Sequence, residues 1–389
     1  MSRPHPLDPV ALTETLAAID SRNPSLVAGA PGEQACAERL AEILHGWGFA
    51  VRMDTVAPGR CNVVARIGPA GVAPLVLNGH LDVVGTDGMT HPPFTPTLRD
   101  GSLFARGATD MKGGVAAMCV AAARAARRDL PGELILTAVC DEEFASIGTA
   151  HVLETLQRDG VAPTGAVITE PTRLAIVPAH KGFVWMEVHV EGRAAHGSRY
   201  DVGIDANRRA ARLLVALEAF EQEVLTYRTH PRLGRASLHV PLVQGGTGWS
   251  TYADGCTVRI ERRTLPGEPT ERVLEELTGL VHQLQAADPA YAATVRACGA
   301  QPPLALDEQH PLVTACVNAA RATGLPGDLD GLTCWTDAAL FASAGIPALC
   351  FGPGDIARAH AATEWVEIAQ LEQAAVALEQ LCLDWARPR

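Results

Sequence analysis

Between Leu75 and Glu170 the chain repeatedly places a histidine or carboxylate where an apolar run of strand length stops, or in a glycine-punctuated loop. The four segments are LVLNGHLDVV, ARGATDMKGG, LILTAVCDEEF and GAVITEPT. They deliver His80, Asp82, Asp110, Glu142, Glu143 and Glu170. Few folds satisfy this pattern. The strands must lie side by side with these residues at one end, which is where open α/β sheets place ligands. Five carboxylates and one imidazole gathered there predict a divalent-metal site.

The surrounding pattern agrees. Two helices are expected within residues 8–47, then strands at Ala50–Met53, Asn62–Ile67 and Leu75–Leu77. Helices near Gly113–Arg128 and Ser146–Asp159 alternate with strands Glu133–Val139 and Ala166–Thr169. Strands alternating with helices imply an α/β sheet. After Pro171 the texture changes to strand Gly182–Glu191, helix Asp205–Val224, strands Leu238–Val243 and Cys256–Glu261, helix Glu268–Gln285 and strand Ala292–Ala297. That is the β-α-β-β-α-β order of the ferredoxin-like unit. The expected organisation is therefore a domain of residues 1–181 and 300–389, interrupted by an inserted α+β domain at 182–299. The first domain resumes with helix His310–Thr323, an apolar strand Gly345–Phe351 and helix Val366–Ala386.

Composition excludes several function classes. The formal charge is -12, with lysine only at Lys112 and Lys181, so a nucleic-acid or anionic-membrane surface is not expected. Met1–Pro9 lacks an apolar core and no run of 18 apolar residues occurs, so a cytoplasmic protein is expected. Ten scattered cysteines without a CxxC pair read as buried thiols rather than disulfides or zinc ligands. There is no GxSxG elbow and no P-loop, which disfavours a serine hydrolase and a nucleotide-driven enzyme.

Each acidic position also has an ordinary reading. His80 and Asp82, two apart, point to the same side, so Asp82 can orient His80, yet an HxD pair also suits a solvated loop. Asp110 opens an alanine-rich helix and could be its N-cap. Asp141, Glu142 and Glu143 repel one another unless cations hold them, although an acidic loop does the same in water. Glu170 is a charge at the edge of a buried strand, and His360 follows another apolar strand in a glycine-rich loop. Together they form an oxygen and imidazole donor set without thiolate, which suits Zn²⁺, Co²⁺ or Mn²⁺. Such a set can hold two metals sharing a bridging carboxylate.

The motifs GHLDVV, ARGATDMKGG, DEE, TEPT, GRAAHGS, RRTLPGE and GPG-x-I-x-x-AH-x-x-x-E, in this order, resemble the co-catalytic zinc amidohydrolase and peptidase family. That family includes acetylornithine deacetylase, succinyl-diaminopimelate desuccinylase, aminoacylase and the glutamate carboxypeptidases. The resemblance implies an open mixed sheet flanked by helices, with an inserted ferredoxin-like lid and dimerisation domain. It implies two divalent ions, Zn first and Co or Mn as alternatives, bridged by Asp110. His80 and Glu170 would complete one site, Glu143 and His360 the other. Glu142 would be the general base, with Asp82 supporting His80 and a cis peptide after Asp110. His196 would stabilise the oxyanion, in its own subunit or across a homodimer. Arg263 would read the substrate carboxylate, with Arg262 or a plain salt bridge as alternatives, and Gly352–Gly354 would offer backbone donors or simply a turn. Ser250 stands where relatives carry a substrate-contacting asparagine, and Thr363 where an acidic residue is common. N-acetylornithine is the first substrate expected, and LCFGPGDIARAHAATEWV is the stretch most similar to acetylornithine deacetylase. Related N-acyl amino acids, N-succinyl-diaminopimelate and dipeptides are the alternatives, and a non-catalytic binding homologue is the remote one.

Overall fold

The computed structural model describes residues 5–386; residues 1–4, within the Met1–Pro9 stretch read above, and 387–389, at the end of the expected first domain, lie outside the described residues. Two compact units emerge. One holds the described residues up to Pro178, then Leu306–Asp330 and those from Thr336 onward; the other holds Ala179–Ala305 and Gly331–Trp335. The expected boundaries at 181/182 and 299/300 thus fall a few residues inside the second unit. The short return at Gly331–Trp335 was not foreseen. Its reason is a side chain: the Trp335 ring meets Phe183 at 6.2 Å and His180 at 6.4 Å, edge to face in both cases.

The large sheet runs through neighbouring strands Ala50–Ala57, Arg60–Ile67, Leu134–Val139, Leu75–His80, Gly165–Ile168, Ala348–Cys350 and Ile176–His180, all in the first unit except the last two residues of Ile176–His180. Leu75–His80 pairs in parallel with both Leu134–Val139 and Gly165–Ile168, and Ala348–Cys350 is parallel to Gly165–Ile168. The outer hairpin and the Ile176–His180 pairing are antiparallel, so the sheet is mixed. Its central strands are buried along their whole length, hence the continuous apolar runs. The four parallel strands all point the same way. His80, the Asp141–Glu143 turn, Glu170 and the loop to His360 therefore emerge at one end of the sheet.

Helix Gly113–Ala125 is buried on every side but Arg124, which explains its alanine-rich sequence. It needs glycine at its start. A Cβ on Gly114 would lie 1.9 Å from the carbonyl oxygen of Thr169, the residue before Glu170. Near the C-terminus the expected helix Val366–Ala386 begins later, at Ile368, and ends at Asp384. Trp365–Glu367 is instead a short strand pairing with Ser102–Phe104, which in turn pairs with Thr97–Arg99. The apolar run Gly345–Phe351 yields only a three-residue strand, because Gly345 and Ile346 still close the preceding helix turn.

The second unit is a four-stranded antiparallel sheet in the order Ser237–Gly245, Gly255–Thr264, Gly182–Glu191, Ala293–Gln301. Helices Ala206–Glu223 and Thr270–Ala287 cover one face. Strand Gly182–Glu191 shows the period-two consequence: Val184, Met186, Val188 and Val190 enter the core with Leu213, Leu217, Val273 and Leu277. Phe183, Trp185, Glu187 and His189 take the other face.

Candidate metal centre

Asp110 lies in an irregular turn, Ala108–Lys112, whose Asp110 and Met111 leave helical geometry; the Asp110–Met111 peptide is cis. One oxygen of Asp110, Oδ1, is 3.0 Å from His80 Nε2, and the other, Oδ2, is 3.3 Å from His360 Nε2. Glu170 Oε1 lies 4.0 Å from His80 Nε2, and Glu143 Oε2 lies 2.9 Å from His360 Nε2. Two three-residue groups result, His80–Asp110–Glu170 and Asp110–Glu143–His360, each with candidate ligand atoms within 4.8 Å of one another. Asp110 belongs to both. Glu142 belongs to neither, yet its Oε2 is 3.9 Å from His80 Nε2.

The electrostatics follow from crowding these groups together out of water. Burial, with the charge of Asp110, raises the Glu143 carboxyl to about 7 against the contrary pull of His360. Burial raises Glu142 and Glu170 well above the carboxylate range, helped by their mutual repulsion for Glu142 and by Asp110 for Glu170. Asp110 itself is held low, because hydrogen bonds from His360 and His80 overcome its desolvation. Hydrogen bonds to Asp110 and Glu143 raise His360 to about 10. Buried like charges of this kind are stable when cations join them. The donors are carboxylate and imidazole only, and His80 Nδ1 is engaged 2.9 Å from the Asp82 carbonyl, leaving Nε2 directed at the cluster. This donor set fits divalent Zn, Co or Mn.

The supports of this cluster were only partly visible in the sequence. Asp82 meets His80 through its main-chain carbonyl more closely than through its carboxylate, which is 3.5 Å away. That carboxylate instead accepts the N–H groups of Glu142 and Glu143, both at 3.1 Å. Glu364, the last residue of the AH-x-x-x-E motif, had no role in the sequence reading. Its Oε1 accepts the N–H groups of Thr109 at 3.0 Å and Asp110 at 3.1 Å, and its Oε2 binds Arg106 at 2.6 Å. Asp337 was also missed. It is buried, accepts the Thr149 hydroxyl at 2.5 Å, and is pushed up to about 6 by desolvation.

Of the two readings at Gly352–Gly354, backbone donors or a turn, the hydrogen bonds favour the turn. The Gly354 N–H donates to Gln370 Oε1 at 2.8 Å and the Gly352 N–H to Thr172 Oγ1 at 3.1 Å. Both are spent within the protein, so this segment is a braced turn.

His196, Ser250 and Arg263 all lie in the second unit. His196 is exposed, its Nδ1 2.8 Å from Ser198 Oγ, and its strand segment pairs with Thr251 while Ser250 accepts the Gly197 N–H. The two loops are therefore one structure. Arg262 and Arg263 alternate across the sheet: Arg262 is buried on Glu268 at 2.6 Å, whereas Arg263 is half-buried, ion-paired to Glu261 and 5.6 Å over the Phe183 ring.

Residues 76–384 match Peptidase family M20/M25/M40. The chain belongs to this family. An acetylornithine deacetylase of Myxococcus xanthus is 32% identical over 328 residues, 82% of each chain. N-formyl-4-amino-5-aminomethyl-2-methylpyrimidine deformylase of Bacillus subtilis is 28% identical over 379 residues, covering 89% of this chain and 88% of that protein. Among solved structures, the Bacillus subtilis YXEP protein, described as a dinuclear metal binding peptidase of the M20 family, superposes with a TM-score of 0.72 at 17% identity, covering 96% of both chains. As a member of the M20 family the protein is a metal-dependent hydrolase. No helix among its described residues is long and apolar enough to cross a membrane.

Proposed function

We propose that the protein removes an acyl group from the nitrogen of a small amino-acid-like amine, with N-acetylornithine as the first substrate. The observation that carries the reading is Asp110, buried with an imidazole on each carboxylate oxygen and a glutamate completing each group. His80, Asp110 and Glu170 would hold one divalent ion, and Asp110, Glu143 and His360 the other, Zn first and Co or Mn as alternatives. Ions so placed supply Lewis-acid polarisation of the amide carbonyl and acidify the attacking water.

The protein's own residues do the rest. Glu142 stands beside the first group, 3.9 Å from His80, and is needed by neither, so its Oε2 is free to take the proton from water and return it to the departing amine nitrogen. Asp82 holds Glu142 and Glu143 by their N–H groups, fixing base and ligand in one turn. His196 is assigned to the oxyanion, in its own or a partner subunit. Arg263 is assigned to the substrate carboxylate, because Arg262 is committed to Glu268. Ser250 is assigned a contact beside His196, on the loop pairing described above. The two compact units support a catalytic domain with an inserted domain, to which the lid and dimer roles are assigned, and buried thiols at Cys36, Cys119, Cys140 and Cys382 support a cytoplasmic location.

A second reading is favoured by the Bacillus subtilis relative: deformylation of an N-formyl aminomethylpyrimidine. Both reactions cleave a linear amide of a small acyl group, and the same base serves either. Zn- and Co-loaded protein assayed on N-acetylornithine, the N-formyl pyrimidine, N-succinyl-diaminopimelate and dipeptides separates them. Turnover of N-acetylornithine above the others is expected. Preference for the formyl pyrimidine moves the substrate to the second reading, and no turnover of any with metal bound overturns both. Light scattering that returns a monomer mass counts against the dimer.

A further inference from the structure

A connected set of buried polar side chains runs from Glu33, the N-cap of helix Gln34–Gly46, to the metal centre. Glu33 accepts two hydrogen bonds of 2.6 Å from Arg60, one from Nε and one from Nη2. The same Nη2 donates to Asp141 Oδ1 at 2.9 Å. Asn23 Nδ2 donates both to that Asp141 oxygen at 3.0 Å and to Asp82 Oδ2 at 2.8 Å. Asp82 in turn accepts the N–H groups of Glu142 and Glu143. All five side-chain members, Asn23, Glu33, Arg60, Asp82 and Asp141, are at most 6% exposed.

Arg60 is the one cation among these five and bonds two of the three carboxylates, Glu33 and Asp141, while Asn23 links Asp141 to the third, Asp82. Asp141 is the pivot of the turn: its φ is 67°, in the left-handed region, and its carbonyl accepts the N–H groups of Ala145 and Ser146. A non-glycine residue keeps that conformation only when its surroundings hold it. Here the holding is done by Arg60 and Asn23 on its side chain and by Glu33, whose Oε1 lies 3.3 Å from the Asp141 N–H.

We propose that Arg60 is a positioning residue for the metal centre. By fixing Asp141, and through Asn23 the carboxylate of Asp82, it sets where the Glu142–Glu143 backbone lies. Arg60 donates to no member of the two ligand groups, and no sequence motif marks it. The proposal rests on the reading of Glu142 as base and Glu143 as ligand. Lysine should not replace it, because only a planar fork bonds Glu33 through two nitrogens while reaching Asp141.

The test uses full-length Arg60→Lys, with Asp141→Asn as a second variant of unchanged size. Zn affinity is measured by chelator competition, the visible spectrum is recorded on the Co-loaded protein, and kcat and KM are measured on the best N-acyl substrate of the wild type. Outer-shell partners of ligands are typically worth about 10- to 100-fold in affinity or activity. The expected result is a loss of that order in Zn affinity and kcat, KM within about threefold, and a shifted Co spectrum in the folded variants. Folded variants with wild-type affinity, spectrum and kcat, and only a lower melting temperature, would overturn it, leaving Arg60 a stabilising ion pair alone. If the wild type turns over no substrate, the functional reading fails by itself, while the affinity and the spectrum still decide the role of Arg60.

Discussion

Glu364 accepts the main-chain N–H of Asp110 at 3.1 Å, so one buried carboxylate seats the residue shared by both candidate metal groups. The same side chain neutralises Arg106. Glu364→Ala removes one partner of a buried pair and leaves Arg106 uncompensated, which typically costs about 3–5 kcal/mol. Urea unfolding should show a loss of that order, and metal titration should show both ions weakened. An unchanged unfolding midpoint would mean that the turn does not depend on Glu364.

Glu142 and Glu143 are neighbours with different expected phenotypes. Glu142→Gln should keep two metals per chain while kcat drops about 10²- to 10⁴-fold, the usual worth of a general base. Glu143→Gln should lose the ion shared with His360. Metal stoichiometry measured beside turnover distinguishes the two. Full turnover by metal-loaded Glu142→Gln would sink the mechanism.

Removing metal should reverse the protein's response to pH. In the metal-free state Glu143 titrates near 7 rather than 4.5, so between those values the folded chain binds more protons than the unfolded one. Stability then falls as pH rises, by up to about 1.4 kcal/mol per pH unit for one proton. His360, raised from 6.5 to about 10, acts in the same direction at higher pH, to a lesser extent because its side chain is 53% exposed. The melting temperature of chelator-treated protein should decline from pH 5 to 8, whereas Zn-loaded protein should not. A flat or rising metal-free profile contradicts this.

Arg262 and Arg263 should separate stability from substrate binding. Arg262→Ala removes one of the two arginines on the buried carboxylate of Glu268, leaving Arg228 at 3.0 Å, and should cost about 1.5–3 kcal/mol, the worth of a hydrogen bond to a charged group. Arg263→Ala should leave the unfolding midpoint nearly unchanged and lower kcat/KM, mainly through KM. The opposite pattern would exchange their assignments.

Much of the scaffold was legible because strands and helices leave periodic traces. The buried parallel strands appear as apolar runs, and their ends appear as the points where His80, Asp141–Glu143 and Glu170 interrupt them. The β-α-β-β-α-β order of the inserted unit appears as alternation switching to helical period and back. Less could be read where local pattern and packing part company. Val366 and Glu367 read as the start of a helix but are drawn into a sheet by Ser102–Phe104.

By itself, then, the sequence determined the order of elements, the chemistry of the donors and their place at strand ends, all encoded by neighbours a few positions apart. Tertiary structure alone decided that Asp110 faces an imidazole on each oxygen, that Glu364 braces it from 254 positions away, and that Arg60 reaches Glu33 and Asp141. It also decided which of two adjacent arginines is buried. A hydrogen bond between side chains distant in sequence has no period and no local composition. It exists only when packing brings the two groups out of water together.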